Sequence, residues 1–136
     1  MTPITFSVME ILSALFIEGI ETRQVAGPST RIDITGVQFS AAAPNPVPAT
    51  IEPHLCVIVH CPPGSRDTGA LEVTYMRGQE QIARNVQPLQ VEPGKFNYRL
   101  VRAELTFEEY GTIEAHCRVD LGPITVVPFT LLPPVV

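Results

Sequence analysis

The sequence predicts an all-β fold, a mostly antiparallel sandwich forming one domain over residues 1–136, and three observations carry the prediction. Fourteen prolines and nine glycines fall in clusters between apolar runs, and this punctuation leaves no room for long helices in most of the chain. The runs between the clusters either alternate apolar with polar residues or are continuously β-branched, as strands are. They recur at turn spacings of roughly 8–12 residues, as in sandwiches and barrels, and amount to about seven strands. A chain of 136 residues with 45% apolar content fills one core without a disulfide framework.

The first twenty-odd residues carry two signals. Ile4, Phe6 and Val8 alternate, whereas Ile11, Leu12, Leu15 and Phe16 sit at helical spacing, so a strand followed by a short N-terminal helical turn is expected. Glu10 and Glu18 interrupt the apolar run from Ile4 to Ile20, and no Lys or Arg precedes it. These features fit neither an export signal nor a membrane span, and a cytoplasmic protein with no membrane partner is expected.

The strands proper follow the turn signal Gly27-Pro28-Ser29. Ile32, Ile34 and Val37 lie in a strand reaching Phe39, and Pro44-Asn45-Pro46-Val47-Pro48 forms an extended connector after it. The run from Leu55 to Cys61 is nearly all apolar and β-branched, the composition of a strand buried on both faces at the centre of a sheet, and Pro62-Pro63-Gly64 ends it. Leu71, Val73 and Tyr75 alternate with Glu72 and Thr74, and Arg77-Gly78-Gln79-Glu80 is a turn. Phe96 to Phe107 forms one long or bent strand. The clearest alternation follows Gly111, where Ile113, Ala115, Cys117 and Val119 face a core and Thr112, Glu114, His116, Arg118 and Asp120 face water. After the turn Leu121-Gly122-Pro123, Ile124 to Leu132 makes the last strand, in which Pro128 requires an edge or a bulge.

Four stretches resemble a family of uncharacterised bacterial proteins that form immunoglobulin-like β-sandwiches, a domain of unknown function. They are Arg31 to Val37, Pro53 to Pro63, Gly69 to Val73 and Glu109 to Asp120, and the resemblance covers about residues 30–132. It implies an antiparallel immunoglobulin-like sandwich and supplies no site. A true immunoglobulin domain carries a core tryptophan and a bridging cysteine pair. This chain has no tryptophan. Its three cysteines, an odd number, are expected to be free thiols, with Cys117 buried.

The chemistry-bearing residues do not assemble into a site on paper. His54, Cys56, His60, Cys61, His116 and Cys117 are ligand types for zinc. However, Cys56 and His60 stand roughly 13 Å apart along one strand, and His116 and Cys117 point to opposite faces. A core-facing Cys117 is unsuited to nucleophilic catalysis, and adjacent Glu108 and Glu109 diverge too far to act as an acid–base pair. No phosphate loop, nucleophile elbow or HExxH pattern is present. Catalytic, cofactor-binding and metal residues are therefore all expected to be none. With 14 acidic and 9 basic residues and Lys95 the only lysine, there is no basic stripe for nucleic acid.

The expected function is a non-catalytic interaction or structural module that binds another protein chain, or a second copy of itself, through strand edges or loops. The alternatives are a small-ligand-binding sandwich and an enzyme with an unrecognised site. The surfaces to consider are the loop Ala43–Pro53, the tail Leu131–Val136 and the apolar N-terminal run, whose surplus of apolar residues favours a dimer.

Overall fold

A computed structural model describes residues 9–24 and 30–135, so Ile4, Phe6 and Val8 and the Gly27-Pro28-Ser29 signal lie outside the described residues. The described chain is all β and mostly antiparallel. It has eleven strands where about seven were expected: β1 (Glu10–Gln24), β2 (Thr30–Gln38), β3 (Ser40–Ala42), β4 (Ala49–Ile51), β5 (His54–His60), β6 (Thr68–Arg77), β7 (Glu80–Gln90), β8 (Phe96–Arg102), β9 (Leu105–Phe107), β10 (Gly111–Val119) and β11 (Thr125–Leu132).

A four-stranded sheet ordered β2-β1-β5-β8 faces a five-stranded sheet ordered β3-β11-β10-β6-β7, and β4 with β9 forms a separate pair. The order β11-β10-β6-β7 opposite β5-β8 is that of an immunoglobulin-like sandwich. The short β3 runs parallel to the last strand, with Thr130 opposite Ser40 and Leu132 opposite Ala42.

No helical turn forms among the described residues of the N-terminal side. Residues Ile11 to Ile17 lie in β1, a 15-residue strand held between β2 and β5. The helical spacing was misleading for a physical reason. A bulge between Ile11 and Ser13 shifts the phase, and the strand carries apolar side chains on both faces, so period two is masked. Ile11, Ala14 and Phe16 face the core between the sheets. Part of the surplus apolar run is thus absorbed into the sandwich, while Leu15 and Ile17 lie on the outer side of β1 and Leu12 is exposed; at the far end Leu131 is buried and Leu132 exposed.

Two other expectations are corrected. Phe96 to Phe107 divides into β8 and β9, which pair in different sheets. The expected strand to Phe39 breaks at that residue, where the chain leaves β2 in one sheet and enters β3 in the other. Strand β7 was missed: its exposure pattern is irregular and it holds Pro88, which is tolerated because β7 is an edge strand. Pro128 obeys the same rule, since β3 flanks β11 only from Thr130 onward.

The core is built as the alternation dictates. Leu55, Val57, Val59 and Val101 from one sheet meet Leu71, Val73, Tyr75, Ile113, Ala115, Cys117 and Phe129 from the other. Phe16 and Phe129 join the sheets with ring centroids 5.0 Å apart. Each large buried side chain contributes about 1.5–3 kcal/mol.

Candidate interaction surface

The residues with chemical potential are dispersed by the fold. His60 Nδ1 lies 3.2 Å from Glu10 Oε1 on the outside of the four-stranded sheet, and its ring stacks on Phe96 with centroids 4.4 Å apart. His116 Nε2 lies 3.2 Å from Glu114 Oε1 on the outside of the opposite sheet. His54 is half-buried beside Ile17 and Arg102. The three histidines therefore occupy separate places. Among the described residues no three of His, Cys, Asp and Glu gather as metal ligands.

All three cysteines are free and buried. Cys117 faces the core, and burial pushes its thiol up to about 12. Cys56 faces away from that core, and its thiol is also raised by burial. Cys61 donates from its Sγ to the Arg66 carbonyl at 3.5 Å. The raised thiols of Cys56 and Cys117, kept out of water, are poor nucleophiles. Glu108 and Glu109 occupy the exposed bend before β10.

What the geometry does assemble is a contrast between two outer faces. On the five-stranded sheet, Glu72 accepts from both Arg84 and Arg118, and Thr112 bonds Thr130 at 2.7 Å. Hydrogen bonding from Arg84 holds the Glu72 carboxyl below its usual range, with Arg118 adding to it against the opposing effect of burial. This face is ionic at its centre, with Val86 and Val126 half-exposed beside the ion pairs.

The middle of the outer face of the four-stranded sheet is apolar, between the His60–Glu10 pair at one end and the Arg23–Asp33–Arg31 cluster at the other. Its register sets Leu15, Cys56 and Leu100 side by side, then Ser13, Ile58 and Tyr98, then Val37, Ile17 and His54. Ile17 and Cys56 are each 1% exposed, yet neither belongs to the cluster between the sheets. A second apolar layer thus lies outside the sandwich proper. Phe96 and Val37, at opposite ends of this face, are 53% and 42% exposed. The run of β5 points to burial on both faces; which residues of β1, β2 and β8 complete the outer one needs the register. The sequence signal was that very run, which demands cover on both sides.

At the end of the sandwich where β1 begins, a cleft of about 430 Å³ is lined by Met9, Ile11, Pro62, Val119 and Pro123, with Glu10 its one charged wall among the described residues. Leu121 and Ile124 stand exposed in the adjoining turn. The loops there are tied by their backbones, Cys61 N–H to the Lys95 carbonyl at 2.9 Å and Val91 N–H to the Asp67 carbonyl at 2.9 Å. The loop from Ala43 to Pro53 is less free than its composition implies. Ala43 and Ala49 are buried, and β4 pairs with β9.

Among the described residues no helix is long and apolar enough to cross a membrane. No protein-family model and no curated protein matches this chain.

Proposed function

We propose that this protein is a non-catalytic interaction module that binds another protein chain at the four-stranded sheet, using the edges and loops that border its apolar outer face. The observation that carries the reading is the unequal chemistry of the two outer faces. Both faces carry ion pairs, but on one Val86 and Val126 stand apart among charged and hydroxyl side chains, whereas the other places Leu15, Ile17, Cys56, Ile58, Tyr98 and Leu100 together, flanked by exposed Val37 and Phe96. Ile17 and Cys56 are already covered within the chain, so the surface offered to a partner is its border, exposed Val37 and Phe96, whose withdrawal from water contributes about 25 cal/mol per Å². The non-catalytic part rests on the burial of the thiols and the separation of the histidines.

The test is comparative capture with the full chain from its source cells. The variants Phe96→Glu and Val37→Glu place a carboxylate on the apolar face, whereas Val126→Glu places one on the ionic face, where Val126 lies beside His116. A copurifying chain lost with the first two and kept with the third is the expected result. Capture that survives all three, or no capture by the unaltered chain, overturns the reading.

A further inference from the structure

We propose that two copies of this chain pair edge to edge through β1, antiparallel about a two-fold axis at Thr22, so that Arg23 of each copy lies across from Glu21 of the other. This goes beyond the docking surface above and uses the free edge of β1 beyond Ile17, not the apolar middle of the sheet's outer face.

The pairing limits of β1 expose the edge. β5 accompanies β1 only from Glu10 to Ile17, while β2 accompanies it from Phe16 to Gln24. From Glu18 onward β1 therefore has one strand partner among the described residues. The ribbon of β1 and β2 reaches about 20 Å past the sheet, and a two-stranded ribbon by itself is marginal in water. Its open edge carries no proline and no lysine, the usual guards against strand addition.

The far side of the sandwich is closed by contrast. There the edge strands β7 and β8 are laced by side chains, Asn97 to the Gln90 carbonyl, Arg99 to the Pro88 carbonyl and Asn85 to the Arg102 carbonyl.

Charge selects the partner as a second copy. Glu21, Arg23, Arg31 and Asp33 share one face of the ribbon, with Glu21 opposite Asp33 and Arg23 opposite Arg31. Asp33 serves both arginines, Arg23 at 3.0 Å and Arg31 at 3.4 Å. Glu21 has no ion-pair partner among the described residues. Each chain thus leaves one positive and one negative charge uncompensated on the same face. An antiparallel pair centred on Thr22 keeps that face common to both copies and sets each surplus arginine against the other copy's Glu21. The row across the joined sheet then reads Arg31, Arg23, Glu21, Asp33, and it occurs twice. Centring one residue earlier sets Glu21 against Glu21, and one residue later Arg23 against Arg23, so the charges fix the register.

Light scattering on the full chain, from micromolar to submillimolar concentration, tests the pairing. The mass of two chains is expected. Glu21→Arg and Arg23→Glu are each expected to weaken the pair by about tenfold or more, since each change acts twice. The double reversal E21R/R23E is expected to restore it. Glu21 has no described intrachain ion pair to lose, so E21R separates a broken interface from a broken fold, which circular dichroism checks. Thr22→Cys is expected to crosslink two copies on mild oxidation, the native thiols being buried. Phe96→Glu is expected to leave the mass unchanged, which keeps this test independent of the docking face. One-chain mass at every concentration overturns the proposal. So does a two-chain mass indifferent to the single reversals, or a double reversal that stays monomeric.

Discussion

Asp120 and Ala70 bind each other twice: the Asp120 N–H donates to the Ala70 carbonyl at 2.8 Å, and Asp120 Oδ1 accepts from the Ala70 N–H at 3.0 Å. The pair extends the β10–β6 ladder one step past Val119 and Leu71, with a carboxylate replacing a backbone acceptor. Asp120 is also the one non-glycine residue with positive φ, 52°, among the described residues. Aspartate tolerates that region because its short polar side chain bonds locally.

Asp120→Ala is accordingly expected to cost about 1–2 kcal/mol, losing the acceptor and a side chain suited to the left-handed turn. In a domain of this size the melting temperature falls by about 3–6 °C. Asp120→Asn, which retains an acceptor and the same tolerance, is expected to cost less than about 1 kcal/mol. Equal losses in thermal denaturation would remove the side-chain bond from the account.

Tyr75 is fully buried, and its hydroxyl has no hydrogen-bond partner among the described residues. Burial raises its pKa, with nearby Cys117 adding to the shift. Removing a stranded hydroxyl removes a desolvation penalty and no bond, so Tyr75→Phe is expected to be neutral or to stabilise by about 1 kcal/mol. Urea denaturation measures it. A loss of more than about 1 kcal/mol would mean that the hydroxyl is satisfied.

Glu72 supplies a pH dependence of definite sign. Its carboxyl is held below the ordinary 4.5, first by the Arg84 hydrogen bond and then by Arg118. The folded-state value lies below the unfolded one, so the stabilisation is complete above the ordinary carboxylate pKa and fades as pH falls through the lowered value. Denaturation midpoints followed from about pH 5 to pH 2 should decline less steeply in Glu72→Gln than in the parent. Parallel curves would assign the acid sensitivity to other carboxylates.

Legibility followed the strength of the alternation. β10 was readable residue by residue, because Ile113, Ala115, Cys117 and Val119 are buried while Thr112, Glu114 and Asp120 are exposed. The burial of β5 was readable from its β-branched run. β1 was not, since a bulge and two apolar faces imitate helical spacing, and β7 was not, since an edge strand with Pro88 tolerates irregular patterning. The break at Phe39 was hidden because the chain changes sheets at a single-residue bend between two extended segments. Strand rise and phase separate His60 from Cys56 and His116 from Cys117, but that His60 and His116 lie on opposite sheets is settled only by the strand order. The charge order of Glu21, Arg23, Arg31 and Asp33 acquires meaning only once the β1–β2 register sets them on one face.

The placement of β11 bears on how the chain comes to be folded during synthesis. β1 and β2 can join locally as soon as both are made, and β5 can add to them later. The opposite sheet cannot be finished in that order: β3 has its partner in β11, and Phe16 in β1 packs against Phe129 in β11. These contacts span nearly the whole sequence, so the early strands wait with an apolar face uncovered until the last strand has left the ribosome. Such long-range closure is slow, and the waiting ribbon is the segment most in need of a chaperone's shelter.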